Sequence, residues 1–237
     1  MYLSLNGQYH NSVVVLLTSD SIEGPYAYQG PVVYSGFTAQ ENVPTNYKKT
    51  DIKYVLGENA ELPARYQQIT NVVTNENGKI TDAKNNWGEQ WPHAIDPAVF
   101  YDDAGNLWMI YGSWSGGIYS LQLDENTGLR DYTVTYDSDF GSKGQSVTSD
   151  PYFGKKIAGG YYNSGEGPYI EKIGNYYYLF MSYGFYAPNG GYSMRIFRSE
   201  NPDGPYVDTN NISAIYDKGI ANFIASYAQD VSQIDTR

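Results

Sequence analysis

Two acids stand at matching places in this chain. Asp96 lies directly before Pro97, in His93-Ala94-Ile95-Asp96-Pro97-Ala98-Val99-Phe100, and Glu166 lies two before Pro168, in Gly165-Glu166-Gly167-Pro168-Tyr169-Ile170. Each opens a run of β-branched and aromatic residues that reads as a strand. Carboxylates delivered to one place by two strands can divide the work of acid–base catalysis. One carries a proton to a leaving group while another stays ionised, to activate water or attack carbon, which is what cleavage of a glycosidic bond requires. Taken singly, each acid also reads as an ordinary turn residue, Asp96 before a proline and Glu166 between glycines. Their pairing at equivalent strand starts favours the chemical reading.

The elements that must position them are strands. Segments Ser12–Thr18, Ala98–Tyr101, Leu107–Tyr111, Gly117–Leu123, Tyr169–Lys172, Tyr176–Ser182 and Tyr192–Arg198 are rich in strand formers. Turn signals bound them, as in Asp102-Asp103-Ala104-Gly105-Asn106 and Gly174-Asn175. Helical periodicity is scarce: Ala221–Ile234 is the one helix candidate, and 38–92 is a polar stretch. Two repeats decide the architecture. Ser19-Asp20-Ser21-Ile22-Glu23-Gly24-Pro25-Tyr26 returns as Ser199-Glu200-Asn201-Pro202-Asp203-Gly204-Pro205-Tyr206, each copy following a strand. The run Pro97-Ala98-Val99-Phe100, a turn, then Leu107–Gly112 parallels Pro168–Glu171, Gly174-Asn175 and Tyr176–Gly184. Units of short antiparallel strands repeating in this way predict an all-β chain built as blades of a β-propeller rather than a sandwich. In such a fold the strand starts of successive blades converge on one funnel.

Tyr2-Leu3-Ser4-Leu5 matches the second strand of a unit, so the expected division is a partial blade over 1–37, an insertion over 38–92 and a blade over 93–136. A loop plus a blade over 137–206 and the start of another over 207–237 complete it. About three blades cannot close a ring, and the chain reads as an incomplete portion of a longer propeller.

Composition excludes several functions. There is no Cys, hence neither a disulfide framework nor a thiolate metal site. A formal net charge of −11 argues against a nucleic-acid backbone as partner. The longest clear apolar run, Val13–Leu17, is strand-sized, so no membrane span is expected, and no basic, signal-like leader opens the chain. No Gly-rich phosphate loop or His-Glu-x-x-His cofactor motif occurs. Tyr contributes 26 of the 237 residues. Most suit strands, but a flat ring with a polar tip also suits sugars, which offer C–H faces and hydroxyls.

Three runs, His93–Asp103, Gly105–Ile118 and Ile157–Ile170, are long and specific. Through them the chain resembles glycoside hydrolase family 43, and within it the endo-acting α-1,5-L-arabinanases. The resemblance continues through Tyr206 and takes in Met1–Phe37. It implies a five-bladed propeller that inverts the anomeric centre with three carboxylates, acting on plant cell-wall arabinan outside the cell or at its surface. Glu166 corresponds to the general acid. Asp96 corresponds to the carboxylate that holds that acid in position and in its protonated form. Ser113 falls where the family contacts sugar. Trp114 follows it in a Gly-rich stretch, where a large ring is hard to explain as core. Trp91, with Trp87, sits in the approach to His93, which borders the sugar site through its place before Asp96. Trp108 reads as blade packing and His10 as a surface turn.

The chain departs from the family pattern at two points. The general base, an Asp of the first blade, has no counterpart here, and Asp150 before Pro151 is a weak substitute. The late His near a structural calcium on the propeller axis is also missing, so no residue is assigned as a metal ligand, and the chemistry itself requires no cofactor. The rest of the propeller, as a separate chain, is then a conceivable partner. Three alternatives stay open: an exo-acting arabinanase, another pentosan hydrolase such as a xylosidase or arabinofuranosidase, and a non-catalytic carbohydrate-binding propeller.

Overall fold

Valine-, leucine- and tyrosine-rich segments pair side by side into three successive antiparallel sheets. The computed structural model describes residues 1–8, 11–36, 46–49, 61, 73–74, 80–82, 92–114, 116–139, 146–150, 152–160 and 165–215. The first sheet is β1 (Tyr2–Gln8), β2 (Asn11–Thr18) and β3 (Ala27–Tyr34), in that order. Two short pairs stand apart from the main sheets, β4 (Val73–Thr74) with β5 (Ile80–Asp82), and β9 (Tyr136–Asp139) with β10 (Ser146–Asp150). The middle sheet is ordered β11 (Lys155–Ala158), β8 (Ile118–Leu123), β7 (Leu107–Tyr111) and β6 (Ala98–Tyr101). The third is β12 (Glu166–Ile173), β13 (Tyr176–Tyr183) and β14 (Ser193–Ser199). Among the described residues the only helical element is a 3-10 turn at Tyr47–Lys49. The chain is all-β there, and every strand pair is antiparallel.

Hydrophobic layers join the sheets face to face. Val14, Leu16 and Val32 of the first sheet share one core with Met109, Tyr111 and Leu121 of the middle sheet. On the other side, Ile110, Ile118 and Ile157 share a second core with Ile170, Leu179 and Met181 of the third. The middle sheet is thus covered twice, and β7 is buried at all five positions. In β13 burial alternates, as expected of a strand with one covered face. Each fully buried aliphatic side chain contributes about 1.5–3 kcal/mol by removal from water.

The Ser…Gly-Pro-Tyr repeat is a repeat in space as well. In the first copy the Gly24 amide bonds to the Ser21 carbonyl at 3.0 Å, and the Tyr26 hydroxyl to the Ile22 carbonyl at 2.8 Å. In the second the Gly204 amide bonds to Asn201 at 3.2 Å, and the Tyr206 hydroxyl to Pro202 at 2.9 Å. By this alignment β1, β2 and β3 stand where β13, β14 and the segment at Val207 stand.

Two boundaries differ from the sequence expectation. β11 lies within 137–206, yet it pairs with β8, with Lys155 opposite Ser120, and so completes the middle sheet. The open edge of β8 is what captures it after the long excursion through β9 and β10. Similarly, Val207 exchanges both backbone hydrogen bonds with Arg198, at 2.8 and 2.9 Å, and so extends the third sheet rather than opening a new unit. Trp87, His10 and Ala221–Ile234 lie outside the described residues, as does most of 38–92.

Candidate active site

Backbone geometry at two non-glycine residues marks the place where the middle and third sheets meet. Asp96 has φ +53° and Trp114 has φ +47°, the left-handed region that costs an L-residue of order 1 kcal/mol or more. Asp is among the residues that tolerate this conformation, and Pro97 after it disfavours the ordinary helical one. The turn that carries Asp96 is pinned from both sides. The Ile95 amide bonds to the His93 carbonyl at 2.9 Å, and the Gly112 amide bonds to the Ile95 carbonyl at 2.9 Å.

That second bond brings Gly112-Ser113-Trp114 beside Asp96. The loop then doubles back, its Gly117 amide reaching the Trp114 carbonyl at 2.7 Å. Glycine is required on both sides of the fold-back. A Cβ on Gly112 would lie 2.4 Å from the Gly117 carbonyl oxygen, and one on Gly117 would lie 2.4 Å from that of Ala158. The Trp114 amide donates to the Gly165 carbonyl at 2.7 Å, fastening this loop to the start of β12.

The side chains converge at the same point. The Gly167 amide donates to Asp96 Oδ2 at 3.1 Å. Trp114 Nε1 donates to Glu166 Oε2 at 3.1 Å, and the Tyr192 hydroxyl bonds to Glu166 Oε1. Asp96 and Glu166, Ser113 and Trp114 are therefore gathered from two sheets into one site. Asp96 is open to solvent on one side, yet its pKa is raised. Loss of water to the packed atoms around it is the main cause, and the charge on Glu166 adds to it, against the Gly167 hydrogen bond.

Ser113 and His93 are brought to the site but lie beneath its surface, at 4% and 1% exposure. Trp114 is half-buried. Trp91 lies outside the described residues. Asp150 closes β10, in register with Tyr136. Trp108 is buried in β7 and donates its indole N–H to Asp102 at 2.9 Å, at the opposite end of the sheet. Among the described residues no group of three or more His, Asp or Glu is arranged to hold a metal ion.

Tyr192 is the site residue that sequence reasoning misses. In the sequence it is one strand tyrosine among 26. It reaches Glu166 because it precedes β14 and the sheet order puts β14 two strands from β12. Beside it Tyr186 is highly exposed, its ring edge-on to Tyr192 at 5.3 Å between centroids.

Comparison with known proteins gives the chain's family. Residues 66–227 match glycosyl hydrolases family 43. The chain is 36% identical over 218 residues to an extracellular endo-α-(1→5)-L-arabinanase of Thermotoga petrophila, covering 91% of this chain and 35% of the relative. It is 31% identical over 209 residues to extracellular endo-α-(1→5)-L-arabinanase 2 of Bacillus subtilis, covering 87% of this chain and 33% of the relative. The crystal structure of an endo-1,5-α-L-arabinanase from Thermotoga petrophila superposes with a TM-score of 0.60 at 34% identity, covering 93% of this chain and 39% of that one. The chain thus spans about a third of the length of the curated relatives it matches. By the family match over most of its length, the chain belongs to glycosyl hydrolases family 43.

Proposed function

We propose that this chain is part of a secreted or cell-surface glycoside hydrolase that cleaves α-1,5-linked L-arabinan with inversion. Glu166 is its general acid and Asp96 the carboxylate that positions it. The observation that carries the reading is the meeting of two sheets at one pair of acids, with Trp114 bonded to Glu166 and Gly167 to Asp96. The names of the relatives, extracellular arabinanases, support arabinan as the substrate and an extracellular place of action.

In this reading the sugar lies against Trp114, Ser113 and His93 form the floor below, and Trp91, outside the described residues, is a further candidate for sugar contact. Glu166 protonates the leaving oxygen as the glycosidic bond breaks. Water attacks the anomeric carbon from the opposite face and gives its proton to a carboxylate base. In an inverting enzyme that base stands about 6.5–9.5 Å from the acid. Asp150 is the candidate within the chain, and an aspartate of a further blade is the other. The three sheets are then blades of a five-bladed propeller, of which this chain supplies about three.

The test is digestion of linear α-1,5-arabinan by this chain and by a form extended upstream, with products separated by size. Mixed short oligosaccharides from the chain alone require a base within it. Products from the extended form only place the base upstream. Binding of arabinan without cleavage by either form would replace this reading with a carbohydrate-binding propeller, and release of single sugars with an exo-acting enzyme.

A further inference from the structure

Glu166 is held by two side chains of different hydrogen-bonding character. Trp114 presents an indole N–H to Oε2. That group donates and never accepts, so a proton on Oε2 would compete with the indole hydrogen for the lone pairs of that oxygen and could not be donated to its partner. Oε1 faces the phenol of Tyr192. A hydroxyl both donates and accepts, so Oε1 can carry a proton and keep its partner. We propose that Tyr192 is a positioning residue for the acid step: with Trp114 it confines the proton of Glu166 to Oε1, and it donates to Oε1 as that proton leaves. This inference rests on the reading of Glu166 as the general acid.

The fold supports such a role. Tyr192 stands one residue before β14, where Ser193 is in register with Tyr183, and the neighbouring Ser182 is in register with Glu166 across β12 and β13. The phenol therefore reaches over β13 to the first residue of β12. Tyr186 braces the ring edge-on. Loss of surrounding water first, and then the Glu166 carboxylate, push the Tyr192 phenol up, with Asp96 adding and a Ser182 hydrogen bond opposing. It stays a neutral hydroxyl.

In the step, the bond from the anomeric carbon to the leaving oxygen breaks and its electron pair stays on that oxygen, which takes the proton from Oε1. The water oxygen bonds to the anomeric carbon, and the water's proton goes to the carboxylate base. Glu166 is left ionised, with Trp114 donating to one oxygen and Tyr192 to the other, so its new charge is met by groups already in place.

The experiment compares the parent, Tyr192→Phe and Glu166→Gln, in whichever form, the chain itself or its upstream extension, cleaves arabinan. Each is assayed on linear arabinan and on an arabino-oligosaccharide whose scissile bond carries a 4-nitrophenyl leaving group, which departs without a proton. Expected for Tyr192→Phe is a fall in kcat on arabinan of about 10-fold or more, with KM and the nitrophenyl rate within about three-fold of the parent. Equal loss on both substrates would mean a structural role for Tyr192 and overturn the inference. So would arabinan turnover within about two-fold of the parent. In both of those outcomes, a Glu166→Gln variant dead on arabinan leaves the acid assignment standing. An active Glu166→Gln, or no cleavage by the parent in either form, overturns that assignment and this inference with it.

Discussion

Strand β6 has an aspartate at each end, and the structure treats the two in opposite ways. Asp102, at the hairpin end, collects four donors: the amides of Ala104 and Asn106 on Oδ1, and the side chains of Asn106 and Trp108 on Oδ2, all at 2.8–2.9 Å. Partial burial pushes its pKa up, but these donors together outweigh burial and hold it below the usual carboxylate value. Asp96, at the site end, has one backbone donor, a left-handed backbone and a second carboxylate nearby, and its pKa is raised. The hairpin end is arranged for stability. The site end keeps strain and like charge together, the arrangement expected where chemistry rather than folding sets the residues.

Four substitutions would break or sharpen this contrast. The largest effect is expected from Glu166→Gln, which should lower turnover on arabinan by about 100-fold or more while the thermal midpoint barely moves. Asp96→Asn comes next, lowering kcat by about 10-fold through loss of charge while keeping an acceptor for the Gly167 amide. Its effect on stability runs the other way. Because the folded pKa of Asp96 lies above its unfolded value, its contribution is full below that unfolded value and is lost as pH rises through the folded one. Thermal melts should therefore show Asp96→Asn more stable than the parent near neutral pH and level with it in acid. A variant less stable at neutral pH would refute the strained-site account.

Asp102→Ala should leave turnover alone and cost about 1–2 kcal/mol in chemical denaturation near neutral pH. The folded pKa of Asp102 is lowered, so its stabilisation is present above the ordinary value and fades as pH falls through the folded one. The gap between variant and parent should close in acid. Smallest is Gly174→Ala, at the far end of β12. Gly174 has φ +60° and nothing near the place of a Cβ, so backbone strain alone acts, costing about 1 kcal/mol with no change in activity.

Much of this was legible from residue types. Alternating and β-branched runs marked the main strands, because a pleated strand with one covered face imposes a period of two. The Ser…Gly-Pro-Tyr copies marked equivalent turns, since each closes through its own local hydrogen bonds. Asp96 and Glu166 were legible as a pair because both precede a proline at the start of a strand. Unit ends were not. Nothing local in Lys155–Ala158 says that it will pair with β8 rather than open the next sheet, because strand pairing over such a distance depends on which edge is free.

The sequence by itself therefore determined the all-β class, the strand starts that carry the acids, and the family. These follow from local chemistry: period, turn residues, and the kinds of side chain set beside each proline. Only the tertiary structure decided how Glu166 is held, since Trp114 comes from the sheet before it and Tyr192 from two strands across its own sheet. It also decided that the Ser113 and His93 side chains are buried. Burial and hydrogen bonding between distant residues depend on which sheets stack and in what order, and sequence spacing carries no measure of that.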